Sequence, residues 1–330
     1  MKHPYSIAVH GGAGRLGRRT THGPDRARYD DAIRRSLDAG RAILRRGGSA
    51  LRAVTAAVVV LEDDELFNAG RGAALCADGT VELSASIMNG TNLAVGAMVG
   101  LKRARNPVMA ASKLLGHAHC LLFGESGDRY AEEAGMEMCA PEYFQTEKRM
   151  RQWRRFTDRT RLHLDHAEDT PEEAHGTVGA VARDCRGRFA AATSTGGMIN
   201  QLPGRVGDSP VAGAGTWANH LCAVSATGTG DTFFRLAFAR RVADLVELAG
   251  MAIEPAAERA LAEVAARRGR GGCIAIGPDG EIATPHTSAH MVRGSQREGE
   301  DARIAILADG ETEPGTASRH EPMTAMEDQS

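Results

Sequence analysis

One stretch of this chain is too charged to join a packed core, and it divides everything around it. From Gln145 the sequence turns basic, with Arg149, Arg151, Arg154, Arg155, Arg159 and Arg161, and then acidic, with Asp165, Glu168, Asp169, Glu172 and Glu173. Blocks of like charge repel one another and bury little apolar surface, so the run reads as a mobile linker over about 145–176; an interaction arm is the alternative. It stops at His175-Gly176-Thr177, and Val178-Gly179-Ala180-Val181 then opens an apolar strand. A fold with such a run in its middle has to build its core from the residues on either side of it.

Thr177 stands at that junction. By itself, a threonine at the head of a strand is ordinary, because β-branched side chains suit strands. If the Gly176–Thr177 bond is cut, however, the threonine gains a free α-amine beside its own hydroxyl. The hydroxyl is a poor nucleophile until a base takes its proton, and an N-terminal amine is one such base. With a reference pKa near ~8, much of that amine is already neutral at physiological pH.

The flanking sequence supplies ordinary core material, with 42% hydrophobic and 25% charged residues among 330. A formal net charge of −2 gives no global attraction to nucleic acid or to an anionic membrane. No window approaches the roughly 18 apolar residues of a membrane span, and the start is too weakly apolar for a signal peptide. The six cysteines are scattered without metal-like spacing and read as reduced thiols, which fits a cytoplasmic protein.

Residues 5–10 read as a buried strand. The glycines at 12, 14 and 17 match a dinucleotide fingerprint in form, but they run into Arg18-Arg19 rather than an apolar-faced helix, so that reading fails. Helices follow over about 25–46, with Ile33, Leu37 and Leu44 on one face, and 49–61, capped by Ser49. Residues 80–89 and 93–100 form a hairpin about Asn89-Gly90-Thr91-Asn92, and Asn106-Pro107 starts a helix to about 115. Beyond the linker, 178–182 pairs with 189–193 and 221–226 is a strand. A glycine-rich turn then leads to a helix over about 231–248, a second helix covers 255–267, and strands lie near 272–276 and 281–284. Strand blocks alternating with helix pairs imply stacked sheets with helices outside. From about 296 to 330 a polar, loosely ordered tail is expected, apart from Ile304-Ala305-Ile306-Leu307.

Several motifs keep Thr177 company. Upstream are His10-Gly11-Gly12-Ala13-Gly14 and Leu66-Phe67-Asn68-Ala69-Gly70-Arg71-Gly72. Downstream are Thr193-Ser194-Thr195-Gly196-Gly197, Pro203-Gly204-Arg205-Val206-Gly207-Asp208-Ser209-Pro210 and Ala226-Thr227-Gly228-Thr229-Gly230-Asp231. In this order they resemble the plant-type L-asparaginase and isoaspartyl peptidase family of N-terminal-nucleophile hydrolases, from about residue 5 to about 293. The resemblance implies an α+β fold, the four-layer αββα sandwich. It also implies self-cleavage into fragments 1–176 and 177–330 that stay one folded domain and pair as a homodimer of cleaved protomers, α2β2.

The same resemblance distributes the roles. Thr177 is the nucleophile, Thr195 and Asn68 hold its hydroxyl, and Thr227 with the Gly228 N–H receives the oxyanion. Arg205 and Asp208 grip an α-carboxylate and an α-ammonium, with Gly230 leaving room beside them. A guanidinium suits a carboxylate by its paired donors, and each charge-assisted bond is worth on the order of 1.5–3 kcal/mol. Free asparagine and a β-linked aspartyl residue at a peptide N-terminus carry both groups, so the substrates implied are an amino acid and dipeptides. Catalysis needs no cofactor. A structural sodium ion is implied in the loop after the second helix, on the backbone carbonyls of Leu61, Glu62, Asp64, Phe67, Ala69 and Arg71.

Two features depart from the pattern: Asp231 stands where a relative has glutamate, and His286-Thr287-Ser288-Ala289-His290 replaces a Phe-Asn-Thr-Glu-Gly type segment. Both bear on the rim of the pocket and on substrate ranking. The competing readings are a glycosylasparaginase, a threonine endopeptidase, and an uncut, non-catalytic binding protein.

Overall fold

The computed structural model describes residues 3–157 and 176–307. The charged run beyond residue 157, including Arg159, Arg161, Asp165, Glu168, Asp169, Glu172 and Glu173, lies outside the described residues, as do His175 and the tail from 308.

The chain opens with β1 (Ser6–Gly14), α1 (Arg18–Thr21), α2 (Arg26–Arg45) and α3 (Ala50–Glu62). Next come β2 (Leu83–Asn89), β3 (Ala94–Leu101), α4 (Pro107–Ser112), β4 (Leu121–Phe123), α5 (Gly124–Glu133) and α6 (Glu147–Thr157). Beyond Gly176 lie β5 (Val178–Arg183), β6 (Phe189–Thr195), β7 (Thr216–Ala218), β8 (Ala223–Gly228), α7 (Gly230–Leu236) and α8 (Phe238–Glu247). The last elements are α9 (Ile253–Ala265), β9 (Gly271–Ile276), β10 (Ile282–Ala283), β11 (His290–Arg297) and β12 (Arg303–Ala305).

Two sheets organise these elements. One has eight strands in the order β12-β11-β1-β5-β6-β2-β3-β4, and the other has four, β10-β9-β8-β7. In the large sheet, strands from before Gly176 and after Thr177 are interleaved: β1 lies between β11 and β5, while β6 joins β2. Helices α2 and α3 cover its outer face with Ile33, Leu37, Leu44, Val54, Val58 and Leu61. On the far side, α8 and α9 cover the small sheet with Phe238, Val242, Leu261 and Val264. Between the sheets lie mainly compact side chains, Ala8, Val181, Ala191, Ala218, Ala223 and Ile274. The four layers are α, β, β, α, as the sequence implied. Each fully buried aliphatic side chain contributes about 1.5–3 kcal/mol. Because β1, β5 and β6 are buried on both faces, their sequences are apolar runs without clean alternation.

Ser49 caps α3 as expected, its Oγ accepting from Arg52 N at 3.4 Å. Other expectations need correction. The first strand continues past residue 10 through the glycines to Gly14, with a bulge between His10 and Gly12, so no nucleotide-binding turn exists there. The helix expected over 231–248 is two helices, broken at Ala237 with φ of 46°. Residues 147–157, expected inside the mobile linker, form α6. Its Arg149 is wholly buried, with Nε donating to Gly72 O at 2.6 Å, so charge alone misled about this part. Residues 296–307, expected to open a loose tail, are ordered instead: β12 extends the large sheet and Ile306 is buried. Backbone pairing with β11 and burial of Ile306 order the short apolar stretch within an otherwise polar segment.

Candidate active site

Thr177 heads β5, an interior strand of the large sheet, and is only 8% exposed. Its hydroxyl donates to Thr195 Oγ1 at 3.2 Å and shares a 3.0 Å hydrogen bond with Ser209 Oγ. Thr195 comes from the end of β6, which pairs with β5 in a register that sets Val178 opposite Ser194. Thr195 Oγ1 also accepts from Gly197 N at 3.1 Å. Asn68 does not make the direct contact expected of it. Its Nδ2 donates to Gly197 O at 2.6 Å, its Oδ1 accepts from Ala74 N at 2.8 Å and its carbonyl accepts from Gly196 N at 2.9 Å. Asn68 therefore fixes the turn after Thr195 and reaches the nucleophile through it.

Gly176 occupies a narrow slot between β1 and the end of β8. A Cβ on Gly176 would lie 2.6 Å from Thr227 Oγ1, and Thr227 Oγ1 accepts from Ala13 N at 3.2 Å. On the other wall, Gly12 has φ of +108°, and a Cβ there would lie 2.6 Å from Gly176 O. Only glycine meets both demands at position 12. Gly228 follows Thr227 at the strand end, opposite Gly271 of β9. Thr227 thus lies against Gly176, beside the Gly176–Thr177 peptide bond.

Arg205 and Asp208 project toward the N-terminus of α7. A Cβ on Gly230 would meet Asp208 Oδ1 at 2.7 Å and Arg205 Nη2 at 3.0 Å, so the missing side chain keeps this space open. Arg205 Nη2 pairs with Asp231 Oδ2 at 2.8 Å. Among the described residues, Arg205 Nε and Asp208 Oδ2 are buried with no hydrogen-bond partner. Burial pushes the Asp208 carboxyl up to about 7, and Asp231 adds to this; its own backbone N–H, Arg205 and the Ser209 N–H pull it back. A buried acid and a half-buried cation, each with one buried atom that finds no partner among the described residues, thus face the space beside Gly230.

A polar seam between the sheets supports this corner and was not legible in the sequence. His10 Nε2 and Ser225 Oγ are 2.9 Å apart, Ser225 Oγ and Thr193 Oγ1 2.7 Å, and Thr193 is bonded to Thr216. Ser86 Oγ donates to Ser209 O at 2.6 Å, which also accepts from Thr216 Oγ1 at 3.2 Å. Burial pulls the His10 imidazole down to about 3, against a small opposing effect of the Thr177 backbone, so it stays neutral. Ser209 is the residue most directly missed: it sits within the quoted Arg205–Asp208 motif, yet nothing in that motif distinguishes it from a loop serine.

The loop after α3 curls back on itself. A Cβ on Gly70 would lie 2.3 Å from Glu62 O, and one on Gly72 would lie 2.1 Å from Phe67 O. At both positions the backbone passes so close to a carbonyl that a side chain has no room. Among the described residues no group of three His, Cys, Asp or Glu side chains is placed to bind a metal. The Glu62 carboxyl, pushed up to about 8 by burial, accepts from Ser194 Oγ at 2.6 Å and so braces β6 beside Thr195. The segment 286–290 leads into β11, where His290 Nδ1 accepts from Leu16 N at 3.0 Å, and Thr287 N donates at 2.7 Å to the carbonyl of Gly271, the residue opposite Gly228.

A four-layer αββα sandwich with a threonine at the head of an interior strand is the architecture of the N-terminal-nucleophile hydrolases. The family model described as "Asparaginase" matches residues 3–306. The chain is 44% identical over 292 residues to the isoaspartyl peptidase of Salmonella typhimurium, covering 87% of this chain and 93% of that one. It is 43% identical over 292 residues to the isoaspartyl peptidase of Escherichia coli, covering 87% and 91%. It is 34% identical over 323 residues to a probable isoaspartyl peptidase/L-asparaginase of Arabidopsis thaliana, covering 92% and 98%. This chain belongs to the asparaginase family, and it is a hydrolase. No helix among the described residues is long and apolar enough to cross a membrane.

Proposed function

We propose that this chain is a precursor that cuts itself between Gly176 and Thr177. The resulting fragments, 1–176 and 177–330, then hydrolyse L-asparagine to aspartate and ammonia and cleave N-terminal β-aspartyl dipeptides. The observation that carries the substrate assignment is the pair of buried polar atoms left without partners among the described residues, Arg205 Nε and Asp208 Oδ2, on opposite charges beside Gly230, with Asp208 next to the serine that touches Thr177. The relatives named isoaspartyl peptidase support the same reading.

In the cut enzyme the Thr177 amine takes the proton of its own hydroxyl, and Oγ1 attacks the side-chain carbonyl carbon of the bound asparagine. The Thr227 hydroxyl and the Gly228 N–H receive the charge that develops on the carbonyl oxygen. The protonated amine then gives its proton to the leaving nitrogen as the C–N bond breaks. Water attacks the resulting ester, freeing aspartate and restoring Thr177. Removing Arg205 costs about one to two orders of magnitude in binding, because a charge-assisted carboxylate contact is lost.

Thr177→Ala tests the reading. It should remain a single 34.9 kDa chain on a denaturing gel and release no ammonia, while the wild type yields two fragments, one beginning with threonine. An active Thr177→Ala variant sinks the assignment.

Sodium, held by the carbonyls of Leu61, Glu62, Asp64, Phe67, Ala69 and Arg71, would stiffen the loop that carries Asn68. Replacing sodium by choline should then lower the melting temperature. A homodimer of cleaved protomers in the cytoplasm completes the proposal, with sedimentation as its check. The six cysteines are all free, which fits a reducing compartment.

A further inference from the structure

The reacting oxygen touches two hydroxyls, and the motif pattern accounts for only one of them. We infer that Ser209 is a catalytic hydrogen-bond donor to Thr177 Oγ1 and couples the nucleophile to the loop that reads the substrate's α-end, an inference that rests on the proposed role of Thr177.

Proton counting gives the direction. Thr177 has one hydroxyl proton and donates it to Thr195 Oγ1, so in the 3.0 Å contact with Ser209 the serine must be the donor. Ser209 is 1% exposed, and its Oγ makes no other hydrogen bond among the described residues. Its backbone is held as well, since Ser209 O accepts from both Ser86 and Thr216 within the polar seam. The donor is therefore oriented before any chemistry begins. It also follows Asp208 directly, so the residue that receives the ammonium and the residue that steadies the nucleophile share one peptide unit.

Such a donor acts when negative charge builds on Oγ1, and its fixed orientation removes the cost of turning toward that charge. Self-cleavage needs it before any free amine exists. In that step a C–O bond forms from Thr177 Oγ1 to the Gly176 carbonyl carbon and the C–N bond breaks. The hydroxyl proton ends on the nitrogen, which becomes the α-amine, and water then hydrolyses the ester. Ser209 keeps its own proton throughout.

The test compares the full-length wild type with Ser209→Ala, Ser209→Cys, Ser209→Thr and Thr177→Ala. For Ser209→Ala we expect kcat on L-asparagine and the rate of self-cleavage both to fall about 10- to 100-fold, the range for a hydrogen bond to a developing charge. KM should stay within about twofold, because Asp208 and Arg205 are untouched. Ser209→Cys keeps the size with a far weaker donor and should behave like Ser209→Ala; it carries the test if the alanine variant does not fold. Ser209→Thr, which keeps the hydroxyl, should lie nearer the wild type than Ser209→Cys.

Wild-type kcat and cleavage rates in the alanine and cysteine variants overturn the inference. So does a rise in KM with kcat unchanged, which would mean that Ser209 only shapes the Asp208 loop. The reverse order of the threonine and cysteine variants also overturns it. An active Thr177→Ala variant would sink the nucleophile itself, whereas an inactive Thr177→Ala beside a wild-type Ser209→Ala would sink only the role of the serine.

Discussion

Lowering the pH should separate binding from chemistry in this enzyme. In the ligand-free site the Asp208 carboxyl is pushed up to about 7, chiefly by burial, and a protonated carboxyl offers no charge to an α-ammonium. If only the ionised form binds, the apparent dissociation constant scales as one plus ten to the power of pKa minus pH. That factor is about 1.1 at pH 8 and about 11 at pH 6, a tenfold weakening worth about 1.4 kcal/mol. The Thr177 amine, with a reference pKa near ~8, must also be neutral to act as base. Free-enzyme groups govern kcat/KM, whereas groups in the complex govern kcat. Below pH 7, log kcat/KM on L-asparagine should therefore fall with a slope approaching ~2, and log kcat with a slope near ~1. KM itself should rise about tenfold from pH 8 to pH 6. Ammonia release at several concentrations across that range measures all three. Asp208→Asn should bind weakly at every pH and show the single-proton slope in both parameters. A wild-type KM that stays constant from pH 8 to pH 6 would refute the reasoning.

Gly230→Ala places a methyl 2.7 Å from Asp208 Oδ1 and 3.0 Å from Arg205 Nη2, so KM for L-asparagine should rise at least tenfold with self-cleavage intact; gels and initial rates check this. Gly12→Ala meets Gly176 O at 2.6 Å from a backbone at φ +108°, and should yield a precursor that stays uncut for as long as the wild type is fully processed. Ala237→Gly should relieve a left-handed residue at the α7–α8 break, raising stability by up to ~1 kcal/mol in a denaturant titration and leaving kcat unchanged.

The parts of this molecule legible in the sequence are those set by local rules. α2 and α3 were visible because their buried residues recur at helical spacing and Ser49 supplies a cap. The hairpin of β5 and β6 was visible as two apolar runs about a polar turn. What local rules do not encode was missed or misplaced. β11 is ordered by pairing with β1, far away in the chain, and β12 by pairing in turn with β11, while α6 is held by Arg149 reaching Gly72 and by Phe156, Met150 and Trp153 packing on the core between its charges. The site divides in the same way. Thr177, Thr195, Arg205 and Asp208 were named from a motif pattern, and the structure brings Thr195 to Thr177 and sets Arg205 and Asp208 around Gly230. Ser209 and the seam running to His10 emerged only when 215 residues of separation between His10 and Ser225 collapsed to one hydrogen bond.

The order of strands in the large sheet fixes what a break before Thr177 can and cannot do. Within this sheet, each boundary between residues before and after that break is a ladder of main-chain hydrogen bonds, at β11 with β1, β1 with β5 and β6 with β2, so the halves are woven through each other. Neither half can leave without unravelling a sheet whose other strands are already home. A cut at this point would create two new chain ends while leaving every one of these ladders in place, so cleavage need not disturb the sheet that holds Thr177.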